Sequence, residues 1–351
     1  MTVGPDKSSL DNPTADDLGR LDRETLSNGL PGDAPPSDAG PGIPVEPAGS
    51  DPQVWLPRDD FFSRHRSFAP RPYRSAVMPR IAEAAFPLPA GLAAAVEDST
   101  AALVRLDAHL ATRFGDQEIV PLATVLLRSE SASSSQIERL TVGARRLAIA
   151  ELGRPAGGNA ELVARNVASM RRALELADRL DETAILAAHQ TLMGDRLDDA
   201  GRYRAGPVWI GGLGSDPSTA AHVPPAADRV PESMADLMAF ARRDDLPVLL
   251  QAAVAHAQFE NIHPFADGNG RVGRALLQAM LRHHGVTRSV TIPLSAGLLV
   301  DTAAYFDALS AYRRGDAAPI VSAVARAAWI AAAQGRRLVD ALADLLGRWE
   351  D

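Results

Sequence analysis

From Leu92 onward the apolar residues of this chain return at a period near 3.6, and that recurrence limits the fold more than any other feature of the sequence. Leu92, Ala95, Val96, Ser99, Leu103 and Leu106 fall on one helical face, with Ser99 the one polar member. A longer tract follows Pro121, carrying Leu122, Val125 and Leu126, and later Ile137, Leu140, Leu147 and Ile149. The run Ser131-Ala132-Ser133-Ser134-Ser135 marks a break or a cap inside that tract, because serines compete for backbone hydrogen bonds. Further helices are expected at about 159 to 178, 182 to 193, 230 to 243, 246 to 260, 268 to 284, 299 to 313 and 317 to 348. Aromatics make up only 5% of the chain while Ala and Leu abound in its second half, a balance that favours helices over sheets. The expected fold class is all-α, mainly a helical bundle, with a short β-hairpin in the Gly- and Pro-bounded region from Gly206 to Pro225.

Ahead of the helices, residues 1–52 are dense in Pro, Gly, Ser and Asp and lack apolar periodicity, so a disordered tail is expected there. Residues 53–115 read as an arm and a first helix, the stretch from Val54 to Leu88 being irregular. Residues 116–155 form a helical segment, 156–315 a core and 316–351 a C-terminal helix. The formal net charge of -8 argues against a general electrostatic grip on nucleic acid or an anionic membrane, so neither is expected as a direct partner. With no cysteine, no secretory leader pattern and no long uninterrupted apolar run, the expected setting is cytoplasmic. The sequence leaves a homo-oligomer open.

Chemistry concentrates in His263-Pro264-Phe265-Ala266-Asp267-Gly268-Asn269-Gly270-Arg271-Val272-Gly273-Arg274, a mixture that makes poor core material. Gly268 and Gly270 bracket Asn269 and allow close backbone approach, and Val272, Ala275, Leu276, Ala279 and Met280 then follow at helical spacing. A nest opening onto a helix N-terminus favours phosphate. Arg271 and Arg274 project from one side of that helix and can span two phosphates. Asp267 is placed as an oxygen ligand for Mg²⁺, and His263, ordinarily titrating near pH 6.5, can accept a proton from a hydroxyl.

This segment matches every fixed position of His-x-Phe-x-(Asp/Glu)-Gly-Asn-Gly-Arg-x-x-Arg, and so resembles the signature of Fic-domain proteins. The similarity extends from about Ser129 to Arg313, through Gly201-Arg202-Tyr203-Arg204, Val223-Pro224-Pro225 and Ala255-His256-Ala257-Gln258-Phe259-Glu260-Asn261-Ile262. The resemblance implies a Fic-like fold with its catalytic core in 156–315, and a protein adenylyltransferase moving AMP from ATP to a Ser, Thr or Tyr hydroxyl of a target protein. It implies His263 as base, Asp267 as the Mg²⁺ ligand, Gly268, Asn269 and Gly270 around the α- and β-phosphates, Arg271 at the diphosphate and Arg274 at the γ-phosphate. Transfer of another nucleotide, removal of AMP by the same site, and a nucleotide-sensing module with little transfer are the alternatives.

Upstream, Ser134-Ser135-Gln136-Ile137-Glu138-Arg139 resembles the Fic inhibitory motif (Ser/Thr)-x-x-x-Glu-(Gly/Asn), with Arg139 in its last position. The resemblance implies that Glu138 pairs with Arg274 and must be displaced before phosphate binds well. Residues 218–229, with His222, Val223 and Pro224, correspond to the Fic flap, which can pair with an extended target segment. His189 and His256 read as hydrogen-bonded core histidines, His283 and His284 as surface residues, and no zinc site is expected. Tyr203, Arg204 and Trp209 either pack the core or line the nucleotide pocket.

Overall fold

The computed structural model describes residues 42–55, 70–113, 116–211 and 217–350, with backbone alone for 116–119 and 341–350. Two strands, β1 (Gly49–Trp55) and β2 (Arg71–Val77), precede the helices α1 (Ala90–Arg113), α2 (Asp116–Ile137), α3 (Ala144–Glu151), α4 (Ala160–Glu175), α5 (Glu182–Met193), α6 (Val230–Ala241), α7 (Val248–Ile262), α8 (Asn269–His283), α9 (Leu294–Leu299), α10 (Thr302–Arg313) and α11 (Ala318–Glu350). The fold is helical, as the periodicity requires. Helix α7 is apolar almost all round and is accordingly the central member, packed against α6, α8, α10 and α11. Helix α8 follows it after a six-residue loop and also meets α4 and α5. Helix α2 lies against α4 and α9 and reaches α8 with its C-terminal end.

The serine run departs from expectation. Helix α2 continues through it to Ile137, and Ser131, Ser134 and Ser135 are buried. Their hydroxyls are small enough to let neighbouring helices close in. Asn166 on α4 donates to the Ser131 carbonyl at 2.8 Å and to Ser135 Oγ at 3.1 Å, while Ser135 Oγ donates back to the Ser131 carbonyl. Tertiary hydrogen bonds thus replace the local competition that would have broken the helix.

The regular sheet also lies outside the region expected to hold it. β1 and β2 pair antiparallel from Gly49 opposite Val77 to Trp55 opposite Arg71, within the stretch read as tail and irregular arm. Pro52 and Pro72 weakened the strand signal, but a two-stranded ribbon has only edges and tolerates proline there. Between 206 and 225 the described pairing is one isolated bridge, Ile210 to His222. The expected tail is packed from residue 42 onward: Ile43 is fully buried, its N–H donates to Asp316 and its carbonyl accepts from Ala317. The rest of that expectation, residues 1–41, lies outside the described residues. Residues 79–82 of the arm are held by side chains, Asp236 accepting from the Ile81 and Ala82 N–H groups and Gln258 donating to the Pro79 carbonyl.

Candidate active site

Helix α7 ends by folding its next residue, His263, into the left-handed region (φ 51°, ψ 62°), where its N–H still donates to the Phe259 carbonyl at 2.9 Å. The turn aims the chain back toward α8. Phe265 then buries completely, stacked on His189 at 3.7 Å between ring centres. Asn269 closes the loop, its Oδ1 accepting from the Phe265 N–H and its Nδ2 donating to the Phe265 carbonyl, both at 2.9 Å. Each end of this amide thus makes one hydrogen bond to the backbone of Phe265, which fixes the loop that carries the nest. Gly268 caps α8 with φ 82°, a conformation side-chain-bearing residues rarely adopt. The backbone amides of the nest and the helix dipole remain as the anion-binding elements.

The His263 ring has a defined tautomer. Nδ1 lies 3.2 Å from the Glu260 carbonyl, which only accepts, so Nδ1 carries the hydrogen and Nε2 holds the basic lone pair. Burial, reinforced by the nearby Arg204 charge, pushes its pKa down to about 4 and keeps the ring neutral at cellular pH.

Across the nest, Glu138 meets both motif arginines. Its Oε1 lies 2.8 Å from Arg274 Nη2 and its Oε2 2.8 Å from Arg271 Nε. Sequence alone suggested only the first pair. Arg274 is held further by Ser134, donating to Oγ from Nε and to the carbonyl from Nη2, each at 2.8 Å. Any side chain at position 270 would strike the Glu138 carboxylate and the Arg274 guanidinium.

Helix α2 delivers Glu138 through a Schellman end. The Leu140 N–H bonds the Ser135 carbonyl at 3.0 Å and the Arg139 N–H bonds the Gln136 carbonyl at 2.8 Å. Arg139 therefore occupies the left-handed position (φ 63°), where Gly or Asn is usual.

These groups line a cavity of about 460 Å³ that includes Glu138, His263, Asp267, Gly270, Arg274 and Tyr305. Asp267 stands at its rim with a largely exposed carboxylate, Oδ1 accepting from the Gly268 N–H at 2.6 Å and lying 3.6 Å from Arg271. Glu260, which sequence reading did not single out, lines the same cavity; burial pushes its carboxyl up to about 7, against the opposing pull of Arg274.

The segment ahead of the flap is structural. Arg204 is buried, and all of its described hydrogen-bond partners are backbone carbonyls. Tyr203 donates to Glu182 at 2.8 Å, and Trp209 meets Trp55 edge-on at 6.5 Å. Of the residues expected in the flap, His222 and Pro224 are buried, and the Val223 carbonyl accepts from the Ala76 N–H of β2 at 2.9 Å. The apolar proline run drives this inward packing. His189 and His256 are core histidines, His256 Nε2 lying 2.8 Å from the Tyr305 hydroxyl. His283 and His284, expected at the surface, are half-buried, and each donates to a backbone carbonyl, of Ala177 and Ala241 respectively.

A backbone nest at a helix N-terminus, with two arginines and a neutral histidine close by, is an arrangement suited to phosphate groups, set on a helical fold. Residues 179–281 match the model of the Fic/DOC family. The chain is 32% identical over 146 residues to the protein adenylyltransferase Fic of Nematostella vectensis, a match covering 40% of this chain and 31% of that one. Against protein adenylyltransferase fic-1 of Caenorhabditis elegans it is 28% identical over 153 residues, covering 42% and 27%. The chain thus spans under a third of the length of these curated relatives. Among solved structures, a Fic family protein from Desulfovibrio desulfuricans G20 superposes with a TM-score of 0.61 at 28% identity, covering 72% of this chain and 76% of that one. Fic-1 of C. elegans (residues 134–508) superposes at 0.54 and 21% identity, covering 72% and 74%, a likeness of fold alone. No helix among the described residues is long and apolar enough to cross a membrane.

Proposed function

We propose that this chain is a protein adenylyltransferase that moves AMP from ATP to a Ser, Thr or Tyr hydroxyl of a target protein and is restrained by Glu138. The observation that carries the reading is a neutral His263, its basic Nε2 free of the Glu260 bond, lining the same cavity as Arg274 and the N-terminus of α8. The hydroxyl proton passes to Nε2 as the hydroxyl oxygen bonds to the α-phosphorus. The bond from that phosphorus to the α–β bridging oxygen breaks, and pyrophosphate leaves. The amides around Gly268 and Gly270, with Arg271 and Arg274, neutralise the phosphates.

Mg²⁺ fits only in a restricted way. Asp267 is the one carboxylate near the nest whose side chain is largely exposed, and no group of three or more His, Cys, Asp or Glu among the described residues could hold a metal. That donor set suits an ion taking its remaining ligands from phosphate and water. When bound, it would neutralise phosphate charge; Asp267 would hold it.

Glu138 occupies both arginines with one carboxylate, so the triphosphate must compete for its own binding groups. We assign 156–315 as the catalytic core, 116–155 as the segment bearing this restraint, and the cytoplasm as its compartment, the last supported by the absence of cysteine.

Incubation of wild type, His263→Ala and Glu138→Gly with α-labelled ATP and host lysate tests the reading. Release of two charge-assisted contacts raises transfer in Glu138→Gly by about 10-fold or more. Loss of the base lowers it by about 100-fold or more in His263→Ala. Equal labelling of all three proteins overturns the reading, and mass spectrometry of the product separates AMP from another transferred group. ATP binding without label transfer, even in Glu138→Gly, marks a nucleotide sensor instead.

A further inference from the structure

The end of α7 presents a row of carbonyls that helical bonding leaves open, and groups from outside the helix satisfy them in order. The Asn261 carbonyl accepts from His222 Nε2 at 3.0 Å and the Ile262 carbonyl from Arg204 Nη2 at 3.4 Å. The His263 carbonyl accepts from Arg204 Nε at 2.8 Å, and the Pro264 carbonyl from the Arg204 N–H at 2.9 Å. The same guanidinium also donates to the Gly206 carbonyl, ahead of the flap, at 3.0 Å and to the Pro225 carbonyl, within it, at 2.6 Å.

A buried cation bonded only to neutral carbonyls is an unusual expense in a protein interior. Here it faces the negative end of the α7 dipole and a ring of carbonyl oxygens, which offsets the loss of water. Its planar fork suits it to several acceptors at once, as a lysine's single ammonium does not. His222 adds the second link, and its own backbone closes the flap by exchanging hydrogen bonds with Ile210 at 2.8 and 3.1 Å. Between them the two side chains touch the catalytic turn on one side and the flap on the other.

We infer that Arg204 is a positioning residue for His263 and that, together with His222, it locks the flap and the catalytic turn into one mechanical unit. The left-handed backbone of His263 is held from outside by these contacts, so displacing the base of the flap withdraws the support that keeps Nε2 in place. Occupation of the flap by a target segment and correct placement of the base are thereby linked events. The inference rests on the proposed role of His263 in transfer; the first of the two tests below does not.

Hydrogen exchange followed by mass spectrometry on the full chain compares wild type with Arg204→Lys and His222→Phe. Lysine keeps the charge and loses the fork; phenylalanine keeps a ring and loses the donor. The amides of Ile210 and His222, which bridge at the flap, and of His263 in the turn exchange faster together, by about 5-fold or more, since a lost neutral bond is worth about 1 kcal/mol and the charge-assisted bonds of Arg204 more. Amides in the middle of α11 keep their wild-type rate. Faster exchange in the flap with an unchanged turn, or the reverse, overturns the mechanical link. If Arg204→Lys does not fold, His222→Phe, which removes a single bond, carries the same comparison.

In a Glu138→Gly background the same two substitutions lower kcat by about 100-fold while KM for ATP stays within a few-fold, because a misplaced base leaves phosphate binding intact. In the same background Arg204→Gln removes a positive neighbour of His263 and leaves Asp267 and the neutral His222 as the titratable groups facing it, so the acid limb of the kcat–pH profile moves to higher pH. A loss confined to KM, with an unmoved acid limb, overturns the positioning role. Absence of transfer in the Glu138→Gly parent itself counts against the proposed function, and the exchange comparison still decides the link.

Discussion

Arg139 holds the left-handed turn that ends α2, and an L-residue with a full side chain is strained there by about 1 kcal/mol relative to glycine. Nothing else about the Schellman bonds depends on its side chain, since both are made by backbone groups. Arg139→Gly therefore raises unfolding free energy by about 1 kcal/mol in urea titrations and, by firming the turn that carries Glu138, lowers basal transfer. A destabilised variant would mean that the arginine side chain contributes more than its backbone costs. At this scale the sequence was most informative. The motif from His263 to Arg274 could be read because its residue types have no packing use, and the Glu138–Arg274 pair because the inhibitory motif names both ends. The second pair, Glu138 to Arg271, was hidden because one carboxylate bridging two guanidinium groups depends on the rotation of α2 about its axis. The two bonds that tie the Asn269 amide to the backbone of Phe265 were not legible either, because they depend on how the loop folds back on the start of α8.

Helix α2 is fixed by more than its last turn. Glu130, Ser134 and Glu138 recur every four residues and so share one face. Buried Glu130 accepts from the Ser295 N–H at 2.8 Å and from Ser295 Oγ at 2.6 Å, tying α2 to the start of α9 two helical turns before Glu138. Burial raises its pKa, and the two Ser295 bonds pull the other way. Glu130→Ala strands both donors, which costs about 2 kcal/mol of stability and loosens α2, so urea midpoints fall while basal transfer rises. A stability loss with transfer unchanged would show that Ser134 and the Schellman turn suffice to hold Glu138. The spacing of Glu130 from Glu138 was visible in the sequence; the serine run between them was instead read as a break, because the partners that satisfy it, Asn166 and Arg274, lie 31 or more residues away.

For the molecule as a whole, the helices were legible because apolar periodicity reports burial directly, whereas β1 and β2 are short, proline-bearing and held by long-range contacts that no local pattern records. The burial that makes the helical core also sets how stability responds to acid. His222 and His263 are pushed down to about 4 and His256 to about 3, in each case chiefly by burial, and His189 and His284 move the same way. Unfolded histidines take up protons near pH 6.5 and these folded ones do not, so each removes stability as pH falls from about 6.5 toward about 4. Glu260, raised to about 7, and Glu130, raised as well, have the opposite sign: they bind protons in the folded state where the unfolded chain has released them. Five histidines outnumber two carboxyls, so the unfolded chain binds the excess and stability declines on acidification by about 1.4 kcal/mol per pH unit for each net proton. Calorimetry between about pH 6.5 and about pH 4.5 accordingly finds a falling Tm. His256→Gln, which removes the most depressed of these groups, flattens that slope, whereas a Tm that rises on acidification would mean that the buried carboxyls, not the histidines, govern the response.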